Sequence, residues 1–135
     1  MIISNKISTR IRYAETDQMG VVYHGNYAQF LEMGRTELLR SIGVSYKNME
    51  DNGIMLPVIT MTINYKKSAY YDELIFIETS LEKLPTVKID FKYEITNEKR
   101  EVLATANVVL AFVSKDTRKP IKCPEYILKK LQNSL

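Results

Sequence analysis

Cysteine and histidine each occur once, as Cys123 and His24. A single cysteine excludes an intrachain disulfide and fits a reducing compartment, the cytoplasm. With one histidine and one cysteine, the usual ligand set of a metal site cannot be assembled, so no metal is expected. No apolar run approaches the ~20 residues of a membrane-spanning helix, and the opening MIISNKIS has no apolar core for a signal peptide. GxGxxG and GxxxxGK(S/T) are both missing, which leaves dinucleotide and P-loop binding without support. No basic run interleaves with aromatics, and a formal net charge of +3 is too mild to indicate nucleic acid, though it would not oppose an anionic small molecule. Repeats, linkers and low-complexity segments are likewise missing. What remains is 135 residues, 45% hydrophobic and 26% charged, the proportions of one globular domain over residues 1–135.

Residues 3 to 13 alternate, with Ile7, Thr9, Ile11 and Tyr13 against Lys6, Ser8, Arg10 and Arg12, and predict a half-exposed strand. From Asn26 to Gly43, Tyr27, Phe30, Leu31, Gly34, Leu38 and Ile42 recur at three- and four-residue steps, an amphipathic helix with Glu32, Arg35, Glu37 and Arg40 mostly on the outer side. Asn26 suits the N-cap, Gln29 a capping box, and Gly43 the C′ position. Gly34 is expected to let another backbone approach closely. Residues 45 to 53 predict a short helix or turn. Strands are expected at Ile54 to Tyr65, Leu74 to Leu81, from Val87 to Thr96 and at Val102 to Val113, the last buried on both faces, with a terminal helix at Glu125 to Leu131. The order is strand, long helix, then four strands in hairpin sequence. One helix covers only one face of such a sheet, so a homo-oligomer is expected.

The candidate chemistry lies between Arg12 and Gly43. Asp17 sits in the loop before the helix. Its plain reading is a turn aspartate, and its functional one a carboxylate aimed at an electrophile held by the helix start. Glu15 competes, though a solvated loop acid is the reading its position favours. At His24 and Gly25 the main-chain amides ahead of the helix are free to donate to an oxyanion. The plain alternative makes His24 a partly buried spacer. A Ser-His-Asp or Cys-His arrangement lacks a visible nucleophile elbow. Lys66 and Lys67, before Tyr70 and Tyr71, read as a solvated connector, with phosphate contact as the alternative. Lys83 and Lys88 flank a hairpin.

Taken as Arg10-Ile11, Thr16-Asp17-Gln18-Met19-Gly20-Val21-Val22 and Asn26-Tyr27, the sequence resembles the signature of the 4-hydroxybenzoyl-CoA thioesterase family. With Tyr23-His24 and Arg35-Thr36-Glu37 it is most similar to the small bacterial acyl-CoA thioesterases associated with the Tol-Pal system. The resemblance implies an α+β hotdog fold: a five-stranded antiparallel sheet wrapped around one long central helix, dimerised and often tetramerised. It implies acyl-CoA hydrolysis with no separate cofactor, coenzyme A being part of the substrate. By the same resemblance Asp17 is the catalytic nucleophile or general base, and the backbone N–H of His24 polarises the thioester carbonyl. Gly20, Val22, Tyr23, Gly25 and Tyr27 take substrate-contact positions. Ser68 stands where relatives usually carry proline, and Pro85-Thr86 where they often carry a basic residue. An acyl-binding or partner-binding module, or a hydrolase of carrier-protein thioesters, is the rival expectation.

Overall fold

The structure, a computed structural model, describes residues 2–135. Five strands, β1 (Ile3–Arg10), β3 (Val58–Tyr65), β4 (Leu74–Leu81), β5 (Lys88–Asn97) and β6 (Val102–Ala111), form an antiparallel sheet in the order β1-β4-β5-β6-β3. A separate ladder joins the two-residue strands β2 (Ile54–Met55) and β7 (Val113–Ser114). Helix α1 (Tyr27–Ser41) packs against β1 and β4, followed by α2 (Tyr46–Asp51); α3 (Glu125–Asn133) closes the chain. This is the helix-on-sheet hotdog architecture. No helix among the described residues is long and apolar enough to cross a membrane.

The period-two patterns hold. Residues of β1 alternate half-buried and exposed, and β5 buries Ile89, Phe91, Tyr93, Ile95 and Asn97 while its other side stays more open. In α1 the apolar stripe buries Tyr27, Phe30, Leu31, Gly34 and Leu38, and the helix ends at Gly43, whose φ of +83° a side chain would resist. Ser45 caps α2 by accepting from the Asn48 N–H at 3.0 Å.

Several expectations are corrected. The first strand stops at Arg10, because Arg12 to Glu15 turns into a 3-10 bend. Ile54 to Tyr65 is two strands, broken at Leu56-Pro57. Strand β6 ends at Ala111 and is fully buried mainly on one face, the residues between being half-buried. Arg35 is buried rather than outside. Gly34 does admit a close neighbour, but the neighbour is side chain: a Cβ there would overlap Thr79 Oγ1 and stand 3.0 Å from Ile77 Cγ2.

The strands after the helix are not all hairpin neighbours either. Strand β3 pairs with β6 at one edge of the sheet, whereas β4 pairs with β1 near the other. Residues 66–73 must therefore cross three strand spacings, roughly 14 Å, which eight residues span comfortably. That crossing carries the connector past the loop before α1, where Val22 N–H donates to Ala69 O at 2.8 Å.

Candidate active site

The site is built from the loop between β1 and α1, the start of α1, and the crossing connector. Glu15 anchors it. Its carboxylate accepts from Arg12 N–H at 2.7 Å and faces Arg12 Nη2 at 3.4 Å, and its own carbonyl accepts from Tyr23 N–H and Asn26 Nδ2. At 6% exposure it is a buried brace, not the solvated acid expected, and its oxygens are committed.

That brace closes a narrow loop in which Thr16 faces Val22. Asp17 N–H donates to Val21 O at 2.8 Å, and Gly20, at φ +80°, makes the reversal. One Asp17 carboxylate oxygen, Oδ1, accepts from Met19 N–H at 2.8 Å. This Asx turn fixes the side chain and leaves Oδ2 without a protein donor among the described residues. Half-buried, Asp17 lines a cavity of about 330 Å³ with Val21, Val22, His24, Tyr27 and Tyr65. Lys66, Lys67 and Ser68 of the connector complete the wall.

Asn26 does not cap the helix. Its side chain is spent on the Glu15 carbonyl, and α1 is entered through a 3-10 turn, His24–Asn26. Gln29 consequently has no capping box to complete. In that turn Asn26 N–H donates to Tyr23 O, and Tyr27 N–H to His24 O. Among the described residues no acceptor faces the N–H of His24 or of Gly25, so both can donate to a ligand. The His24 carbonyl takes a second hydrogen bond, from Tyr65 Oη at 3.2 Å. The imidazole itself is exposed and lies against the Tyr23 ring at 4.5 Å between centroids, tilted by 48°, so His24 is not a buried spacer.

Of the seven residues singled out in the sequence, Asp17, Val22, His24 and Tyr27 share the cavity. The other three support it. Gly20 turns the loop. Tyr23 covers Gly25, where a Cβ would come 2.5 Å from Tyr23 Cε2. Tyr27 is 3% exposed, and burial, then Tyr65 and Glu73, push its hydroxyl above the ordinary range, so it stays a donor. Tyr65 was missed. It stands on β3, 41 residues from His24, with its ring 5.1 Å from that of Tyr27. No local pattern announces such a contact.

A second cavity of about 480 Å³ shares Lys67 and Ser68 with the first and adds Tyr70, Glu73, Asn97, Glu98, Lys99 and Glu101. Lys67 pairs with Glu101, and that ion pair, with Asn97, holds the Glu101 carboxyl below its usual range. Lys67 is thus not a free connector residue. Cys123 offers no nucleophile: burial, then Glu125, push its thiol up to about 12.

Residues 11–131 match the Thioesterase-like superfamily. YneP of Bacillus subtilis (strain 168), provisionally designated an acyl-CoA thioesterase, is 39% identical over 118 residues, covering 87% of this chain and 86% of that protein. The acyl-CoA thioester hydrolase YbgC of Escherichia coli O6:H1 is 31% identical over 119 residues, 88% and 89% of the two chains. A crystal structure of a DHNA-CoA thioesterase from Staphylococcus aureus superposes with a TM-score of 0.89 at 40% identity, covering 96% of this chain and 91% of that one.

Proposed function

The chain belongs to the thioesterase-like superfamily, and on that footing we propose that it is an acyl-CoA thioesterase in which Asp17 supplies the reacting carboxylate. The overall change adds water across the acyl–sulfur bond, giving a free acid and the thiol of coenzyme A. Two routes use the same oxygen. Asp17 Oδ2 attacks the carbonyl carbon, expels the thiolate and leaves a mixed anhydride that water opens; or it takes a proton from a water that attacks directly. On either route the carbonyl oxygen gains negative charge and is met by the N–H groups of His24 and Gly25. Those donors bind the transition state more strongly than the substrate, which lowers the barrier.

One observation carries this reading: Asp17 and His24 line one cavity, with a carboxylate oxygen and a main-chain N–H that lack protein partners among the described residues. Asp17→Asn keeps the Asx turn and removes the charge. It should lower turnover on a good acyl-CoA by about 100-fold or more, measured by release of free thiol. Undiminished turnover would remove Asp17 from the chemistry. Binding of acyl-CoAs without thiol release by the unaltered protein, across chain lengths, would make the chain a binding module instead.

The working form is proposed to be a homodimer joined edge to edge through β3, with a homotetramer built from two such pairs, in the cytoplasm. Support for the dimer is the exposure of β3, an edge strand that leaves Val58, Ile59, Met61 and Tyr65 between 36% and 51% exposed.

A further inference from the structure

One hydroxyl at the candidate active site is deeply placed and has no partner in the protein. Tyr27 is 3% exposed. Its ring meets those of Phe30 and Tyr65 edge to face, with centroids 5.6 and 5.1 Å away. That packing fixes the ring and so aims the oxygen. Among the described residues none hydrogen-bonds Tyr27 Oη, and it is not one of the sealed oxygens of the interior either. Tyr27 lines the cavity of Asp17, so the little of it that stays open includes this oxygen, at the cavity wall.

The groups around it do not take its proton. Tyr65 Oη donates to the His24 carbonyl, and Glu73 Oε1 accepts from Tyr70 N–H at 2.7 Å. Both act on Tyr27 without bonding it: behind burial, the larger cause, they hold its hydroxyl above the ordinary range, so it keeps its proton. A buried donor left without an acceptor costs more than a typical hydrogen bond gains. Water serves it between turnovers, and a bound ligand displaces that water. The charged nucleotide part of a coenzyme A thioester stays in solvent. Its carbonyl oxygen is met by the amides of His24 and Gly25. What reaches a hydroxyl this deep is the acyl group.

We propose that Tyr27 is the specificity-determining residue of this site: its Oη donates to an oxygen carried by the acyl group, so that acyl thioesters bearing a hydroxyl or oxo substituent are preferred over hydrocarbon ones. This rests on the thioesterase reading above and adds the substrate class to it. An oxygenated acyl group replaces the hydrogen bond of the displaced water. A hydrocarbon one strands the hydroxyl, and the apolar side chains of Val21 and Val22 on the same wall offer it no acceptor. Discrimination of this kind comes from pairing a buried donor, not from pocket size.

The test is thiol release from acyl-CoA pairs that differ by one oxygen: benzoyl-CoA against its monohydroxy analogues, and hexanoyl-CoA against a hydroxyhexanoyl-CoA. The best oxygenated member should exceed its hydrocarbon partner in kcat/KM by about tenfold or more. Tyr27→Phe keeps the ring and removes only the oxygen. It should lower kcat/KM for that member by about tenfold and raise it for the hydrocarbon partner by about threefold, because the stranded donor is gone. A purely structural role would lower both alike. Where the variant does not fold, the preference of the unaltered protein decides. Equal or faster turnover of the hydrocarbon member in every pair, or a Tyr27→Phe variant that slows both members equally, would overturn the proposal and leave the thioesterase reading in place. No thiol release from any of these substrates would overturn both.

Discussion

A side chain's type matters less at this site than what its second atom is doing. Asp17 spends one oxygen on Met19 N–H, which leaves the other without a protein donor among the described residues. Glu15, two residues earlier, carries the same functional group but has committed both oxygens to Arg12. Tyr65 works through a peptide plane. The peptide unit joining His24 to Gly25 is flat, with its C=O and N–H pointing opposite ways. Holding the His24 oxygen with Tyr65 Oη and Tyr27 N–H therefore sets the direction of the Gly25 N–H and polarises it. Tyr65→Phe keeps the ring that meets Tyr27 and loses only the hydroxyl. Its kcat should fall about fivefold, the worth of one hydrogen bond, with KM within twofold. A rise in KM at unchanged kcat would instead make Tyr65 an acyl contact.

Helix α1 shows how an element is tuned against its own propensity. Gly34 in mid-helix costs about 1 kcal/mol relative to alanine. Even so, Gly34→Ala should destabilise the protein by about 1–2 kcal/mol, because the new methyl overlaps Thr79 Oγ1 and crowds Ile77 in a packed interface. Denaturant unfolding measures this, and Thr79→Ala should recover part of the loss in a double-mutant cycle. An unchanged midpoint in Gly34→Ala would mean the sheet yields to the helix. The N-terminal end of α1 is tuned differently. The side chain that suits a cap, Asn26, bonds the Glu15 carbonyl, and the His24 and Gly25 amides of the turn face no acceptor among the described residues.

In the whole molecule, the strand order explains where the site lies and which edge of the sheet is open. Because β3 crosses to β4 at one end of the sheet, the connector meets the loop of Asp17 there, and the cavity lies at that end. A cavity of about 540 Å³, lined by Lys83, Leu84, Pro85, Thr86, Val87 and Lys88 among others, lies at the opposite end. Two copies paired antiparallel along β3 would bring the far end of one sheet beside the site end of the other. Ile59→Glu with Met61→Lys, both on the exposed edge, should yield a folded monomer by sedimentation and lower activity by about tenfold or more. A dimer that survives both changes would put the interface elsewhere.

The sequence by itself determined the elements and the chemistry on offer: the two-residue and three-to-four-residue periods marked β1, β5 and α1, and the Asp17-to-Tyr27 stretch held the candidate site residues within eleven positions. Those are short-range facts, since alternation, turn chemistry and loop length act between near neighbours. Only the tertiary structure decided which strand lies beside which, that Glu15 and Arg35 go inside, and that Tyr65 reaches His24. Burial and pairing at a distance depend on which surfaces meet once the chain has crossed its own sheet, and no local pattern carries that choice.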